Sequence, residues 1–398
     1  MCDRLFNGAG DELSSLSWID FDDVERERAR RLIAMFAERA TRDEMGLGPI
    51  RDSIADRLFP GTNTLHTRLR YVFFVPWILQ LVEADRGSPD SRALAKTGRK
   101  LEIQLIFALQ KGGESRGVIG SSARWRLKRL PSELYWSALQ SWGICVFQGS
   151  QHDYFAALPH VRRKRRRAGS SSLVTWHKGL PSTPPGFLER AEFGLRPDEA
   201  GFLVDRIVAS HPRSLLAHLA RNRRSVQCGY VWTHPDRASF PASAGRIVAH
   251  AEVFSEIMLG ASLLYNFMLA GRRDWDEKVE HYRSRISTWK EKLEIERVLN
   301  WKLDDFWLCV RHPNHRIHEG SRHFVTRWVN LVRSQRGEIL DDNEARRLVQ
   351  NREQRLKGRH SRFINRSALD HWGGSSGSDR LSFRWAQVRS HLGDMADA

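Results

Sequence analysis

Runs of cations are the residues of this chain whose type and spacing could do chemistry. Arg162, Arg163, Lys164, Arg165, Arg166 and Arg167 are consecutive, and such a run can neutralise several phosphates at once and make binding steeply salt-dependent. Six adjacent cations repel one another, so the stretch reads as a solvated loop or linker, with a basic loop that binds nothing as the plainer alternative. Upstream, Arg124, Arg126, Lys128 and Arg129 interleave with Trp125, which sets cations beside an aromatic platform. Downstream, Arg346, Arg347, Arg352, Arg355, Lys357, Arg359, Arg362 and Arg366 form a second cluster, followed by Arg380 and Arg384. Between them lies Gly373-Gly374-Ser375-Ser376-Gly377, whose amides could cradle a phosphate or make no more than a turn. The expected nucleic-acid ligands are therefore Arg124, Arg126, Lys128 and Arg129, the run Arg162 to Arg167, and Arg355, Lys357, Arg359, Arg362, Arg380 and Arg384. All would contact phosphate and none would read a base.

Other chemistry finds less support. His312, His315, His318 and His323 are the densest group of metal-competent side chains, but Pro313 interrupts them and only Glu319 adds a nearby carboxylate. Arg311, Arg316 and Arg322 would repel a metal cation, so neither a metal nor any other cofactor is expected. No GxxxxGK[ST] loop or HExxH helix is present, and no residue is assigned a catalytic role. The acidic pairs Asp304-Asp305 and Asp341-Asp342 stand where helices should begin, and helix-end electrostatics account for them. Two alternatives to nucleic-acid binding remain: a scaffold subunit whose basic surface meets an acidic partner protein encoded nearby, and, less favoured, a metal-dependent nuclease built on scattered carboxylates.

Composition supports a basic partner-binding protein. The 398 residues carry 64 Lys and Arg against 47 Asp and Glu, a net charge of +17. Counting along the chain, Lys111 to Arg190 holds 14 basic and 4 acidic residues, and Arg311 to the end holds 17 and 10. The two segments therefore contribute +10 and +7, which is the whole excess. A clustered surplus points to a polyanion, DNA foremost. Cys2, Cys145, Cys228 and Cys309 never approach CxxC spacing, so free thiols in a reducing compartment are expected. The start has no secretory pattern, and the most apolar stretch, Phe254 to Ala270, is broken by Ser255, Glu256 and Asn266. These features suggest a cytoplasmic protein with no membrane partner.

Helical periodicity dominates the elements that must position these groups. Asp20 or Asp22 can cap a helix running to Ala40, and Ile50 to Leu58 makes a second that stops at Phe59-Pro60-Gly61-Thr62. A long apolar helix should follow, kinked or broken at Pro76. Further helices are expected over Asp198 to Ser210, Ser243 to Leu269, Asp274 to Asn300 and Asn343 to Leu356, the second of these apolar nearly all round and so central. From Gly117 to Phe155, two short helices and the β-prone run Ile144 to Phe147 match the generic outline of a winged helix, with an ordinary helical hairpin followed by a strand as the plainer alternative. The fold class is mainly α and multi-helical. Its expected divisions are a helical unit over 1–112, a winged-helix-like segment over 113–160, a basic and Pro-rich linker over 161–195, a central helical domain over 196–340 and a basic C-terminal region over 341–398. Arg70 is expected to pair with Asp52 or Asp56 as a structural bridge.

Five segments resemble an uncharacterised bacterial family, a domain of unknown function. They are LSWIDF (16–21), GLGPIRDSIADRLFPGTNTLHTRLRYVFFVPWI (46–78), GVIGSSARWRLKRLPSELYWSALQSWGI (117–144), HAEVFSEIMLGASLLYN (250–266) and RLKGRHSRFINRSALDHWGGSSGSDRLSFRW (355–385). The resemblance implies a bacterial origin and one architecture over nearly the whole chain. Through the helicases, methyltransferases and nucleases beside which relatives sit, it suggests phage defence or DNA processing. It implies no reaction and transfers no catalytic residue.

Overall fold

The computed structural model describes residues 43–85, 90–168 and 175–398; the helix expected from Asp20 to Ala40 and the LSWIDF segment lie outside them. Within the described residues the fold is mainly α, with no strand longer than an isolated bridge.

Helix α1 (Gly48–Leu58) opens on Pro49 and ends at the Phe59-Pro60-Gly61-Thr62 turn. Gly61 has φ +82°, and a Cβ there would lie 2.5 Å from Nε1 of Trp142. Only glycine therefore lets Trp142 reach the Pro60 carbonyl, to which it donates at 2.9 Å. Helix α2 (Tyr71–Ala84) runs unbroken through Pro76. Its apolar sequence buries it from Tyr71 to Leu79, and Trp77, Phe73 and Phe74 are fully covered, while Gln80 and Leu81 face solvent. Against it pack α3 (Ser91–Lys111) and α4 (Pro131–Ser141). Helix α5 (Gln151–Ala168) lies across α3, where the missing side chain of Gly98 admits the ring of Phe155.

In the segment expected to be a linker over 161–195, the described residues 161–168 and 175–195 take part in the fold. The backbone of Arg162 to Arg167 continues α5. Beyond, Trp176 and Phe187 are buried against α2, Phe187 stacking at 6.3 Å on Phe74, while Trp77 donates to the Pro181 carbonyl. The residues around these prolines thus pack as a strap against α2 and its neighbours. The β-prone run Ile144 to Phe147 makes a single antiparallel bridge, Cys145 to Trp176, and no paired wing strand occurs among the described residues.

Helices α6 (Pro197–Ser210) and α7 (Leu215–Asn222) form a pair, and the 31-residue α8 (Ala242–Arg272) follows. Helix α8 has the length and hydropathy of a membrane span, but α1, α9 (Asp276–Lys292), α10 (Ile295–Leu299), α11 (Leu303–Cys309), α12 (Glu319–Ser334) and α13 (Asn343–Lys357) surround it. Gly260 gives the closest approach, since a Cβ there would meet the Trp289 ring of α9 at 2.5 Å. The helix expected from Asp274 to Asn300 is thus two, breaking at Leu293 and Glu294 to turn around α8. Short α14 (Arg366–Asp370) and terminal α15 (Trp385–Ala396) close the chain. Helix α15 packs on α7, and α1 packs on α8, so one apolar core joins both ends of the described chain.

Two junctions inside this core carry buried ionisable groups. His66 stacks on Tyr135 at 4.0 Å with His391 beside it, and burial pulls His66 down to about 4 and His391 to about 3. Under α3, Glu102 accepts from the amide and hydroxyl of Ser132 at 2.8 and 2.7 Å at the start of α4. Burial pushes its carboxyl up to about 7, against those hydrogen bonds.

Candidate nucleic-acid interface

The interface begins on α3. From Arg92 to Arg129 the sequence carries ten cations and two carboxylates, Glu102 and Glu114. Both carboxylates turn inward, Glu102 to Ser132 and Glu114 to the amide of Phe193 at 2.6 Å. Lys96, Lys100 and Lys111 stand exposed on the opposite side of the helix with Gln104 and Phe107, a spacing of three and four residues that keeps them on one face.

The loop after α3 delivers the aromatic platform. Gly120 has φ +85°, and a Cβ there would collide with Leu127 and Ile106 at 2.7 and 2.9 Å. Without one, the chain folds back onto α3 and forms a single 3₁₀ turn, Arg124–Arg126. Arg99 of α3 clamps that turn by donating to the carbonyls of Trp125 at 3.0 Å and Leu127 at 2.8 Å. Arg124 takes a left-handed φ of 45°, which non-glycine residues adopt rarely. Its guanidinium lies over Phe107 at 5.8 Å, and Trp125 meets the same ring at 5.9 Å. Trp125 is 62% exposed, far beyond what a core residue shows, with Arg126 and Lys128 exposed beside it. Among the described residues, Lys96, Lys100, Lys111, Arg116, Arg126, Lys128 and Arg129 have no carboxylate within ion-pair distance. Arg124, Arg126, Lys128 and Arg129 are thus brought together as expected, and α3 adds Lys96, Lys100, Lys111 and Phe107, which the sequence reading missed. Their spacing of three and four residues was the signal available in the sequence.

The C-terminal cations behave differently. Lys357 and Arg362 both pair with Glu44, the latter at 2.7 Å, and Glu44 is buried. Arg384 bridges Asp52 and Asp56 of α1 and donates to the Thr62 carbonyl at 2.7 Å. Arg380 pairs with Glu256 of α8. Arg352, outside the expected set, is buried against the Met45 carbonyl and Ser321. These four expected ligands, Lys357, Arg362, Arg380 and Arg384, are therefore structural; their acids come from α1, α8 and the segment before α1, too distant in sequence to be anticipated. Arg355 and Arg359 remain exposed. The Gly373 to Gly377 loop is likewise consumed by the fold. Ser376 and Asn266 exchange two hydrogen bonds of 2.8 Å, and Tyr282 donates to the Gly374 carbonyl at 2.7 Å.

Arg70 is a structural bridge, but to Glu199 at 2.9 Å and the Glu192 carbonyl, since Arg384 occupies Asp52 and Asp56. Arg68 pairs with Asp394 of α15 at 2.8 Å, so neither arginine of this block lines the cationic surface.

Two groups have the donor types of a metal centre. In the first, Trp301 donates to Nδ1 of His250 at 2.8 Å, which leaves Nε2 to carry the proton and donate to Asp305 at 2.9 Å. Both ring nitrogens are thereby engaged, so the His250, Asp305, Cys309 group is a hydrogen-bonded tie between α8 and α11. In the second, His315 meets Asp56 at 2.5 Å and Asp56 also receives Arg384, while His312 Nδ1 accepts the Asn314 amide at 3.2 Å. A guanidinium already neutralises the carboxylate, and a neutral His312 that accepts at Nδ1 must keep its proton on Nε2. That arrangement fits an ion-paired clasp between α1 and the loop before α12.

A family model, that of a family of unknown function, matches residues 13–398. No curated protein and no solved structure matches the chain.

Proposed function

Because the chain belongs to the family of unknown function DUF6361, which supplies no activity to reason from, we propose a function from its own surface: it binds nucleic acid through the phosphate backbone along α3 and the turn that follows. The carrying observation is the placement of Trp125, 62% exposed, among cations without carboxylate partners. An exposed indole flanked by cations can stack an unpaired base while the cations follow the strand, so single-stranded DNA is the favoured form. Contacts of this kind are sequence-independent. Arg162 to Arg167 continue a helix that packs on α3, which supports including them as further phosphate ligands. The neighbours of relatives suggest service in a bacterial phage-defence or DNA-processing system.

Fluorescence anisotropy with a labelled single strand and a labelled duplex, at 50 and 200 mM salt, tests the reading. With six or more phosphate contacts, affinity falls roughly a thousandfold over that range. Binding that ignores salt, or no binding to either form, rejects it.

A further inference from the structure

A second cationic feature lies away from this interface, in the C-terminal half. A cavity of about 640 Å³ opens between the end of α8 and the first turns of α13, a volume within the roughly 300–1,000 Å³ of small-ligand sites. Its base is formed by Phe267 and Phe363, both nearly covered. Arg272, Arg346 and Arg347 stand around them with the amide of Gln350, and no carboxylate is among the lining residues.

The three arginines differ from the tail cations already described. Arg346 is held in place, donating to the Leu340 carbonyl at 2.9 Å and to the exposed Asp341 at 3.3 Å, with its guanidinium over Phe267 at 5.6 Å. Arg347 donates Nε to the Asn343 carbonyl at 3.2 Å, which leaves its two terminal amino groups unengaged. Arg272 lies over Phe363 at 5.9 Å and pairs with no carboxylate among the described residues. Guanidinium forks match phosphate oxygens bidentately. Held near Phe363 and Phe267, the planar guanidiniums of Arg272 and Arg346 are also groups on which a heteroaromatic ring can stack.

We infer that this cavity binds a nucleotide, its phosphate held by Arg272 and Arg347 and its base set against the guanidinium of Arg346 beside Phe267. The nucleotide is either free or the 5′-phosphorylated end of a strand. None of these residues belongs to the α3 interface, so the two assignments stand or fall separately.

Calorimetric titration of the full chain with AMP, ATP, adenosine and inorganic phosphate provides the test, repeated on Arg272→Glu, Arg347→Glu and, as a control, Arg124→Glu. AMP or ATP is expected to bind at least tenfold tighter than adenosine or inorganic phosphate. Each cavity variant should weaken that binding by at least tenfold, and Arg124→Glu should leave it unchanged. Both cavity side chains are exposed, and a thermal melt matching wild type establishes that the variants are folded. To separate the two sources, 5′-phosphorylated and 5′-hydroxyl oligonucleotides are titrated into Arg124→Glu/Lys128→Glu protein. A preference for the phosphorylated end assigns the site to strand termini, and its absence alongside AMP binding assigns it to free nucleotide. Failure of every nucleotide to bind, binding by both cavity variants as tight as wild type, or inorganic phosphate binding as tightly as AMP would overturn the inference.

Discussion

Two regions of this protein are equally rich in arginine and lysine, yet they put those residues to opposite uses. Along α3 and the turn after it, the two local carboxylates face inward and hold the fold, and among the described residues Lys96, Lys100, Lys111, Arg126, Lys128 and Arg129 have no carboxylate partner near an exposed tryptophan. Between Arg352 and Arg384, carboxylates from far earlier in the chain, Glu44, Asp52, Asp56 and Glu256, reach over and take Lys357, Arg362, Arg380 and Arg384 into the structure. Local charge density is similar in the two, so it cannot decide which region meets a partner. The long-range acids decide it: a guanidinium already satisfied by a buried carboxylate has little left to give a phosphate.

The contrast is broken most forcefully at Glu44. Glu44→Ala strands Lys357 and Arg362 without their counter-charge and should cost about 3–5 kcal/mol of stability, read by urea unfolding, while nucleic-acid affinity of the folded protein stays as it was; a large affinity change would return the tail to the interface. Next comes Arg124→Glu with Lys128→Glu. Anisotropy should show binding weakened on the order of a hundredfold and a salt slope reduced by about two, with stability moving by no more than about 0.5 kcal/mol. Trp125→Ala sharpens the picture of the strand: a loss of about 1–3 kcal/mol is expected for single strands and a much smaller one for duplex. Equal losses on both forms would argue against base stacking.

The smallest effects come from pH. Glu102 has its folded value raised to about 7 from 4.5, so its contribution to stability is complete below pH 4.5 and is lost as pH rises through 7. Glu102→Gln should therefore flatten the decline in thermal stability between about pH 4.5 and 7. His66 and His391 act in the other direction. Their folded values, about 4 and about 3, lie below the usual 6.5, so the unfolded chain takes up protons first and stability falls as pH drops from 6.5 towards 4. His391→Phe should reduce that acid loss in melts across pH 4 to 7; an unchanged profile would mean the ring is solvated.

Much of the helical frame was legible before any coordinates. Helices over 50–58, 198–210, 243–269 and 343–356 reappear within a few residues, because apolar periodicity and end signals are local. Asp342 caps α13 through the Ala345 amide, as its place before a helical stretch implied. Arg162 to Arg167 illustrate the limit: mutual repulsion argued for a loop, but the backbone continues α5. Helix α8 shows a different kind of shortfall, since its composition allows a lipid or a protein surround and only its neighbours settle which.

From its residues alone this chain determined that it is helical, that α8 needs covering on every side, and that its surplus charge is positive and clustered. Those properties follow from periodicity, hydropathy and counting, each of which acts over a few turns of chain. Tertiary structure decided which cations are free, by carrying Glu44, Asp52, Asp56 and Glu256 to the tail and turning Glu102 and Glu114 away from α3. An ion pair forms wherever folding brings opposite charges within about 4 Å, and no window along the sequence records that distance.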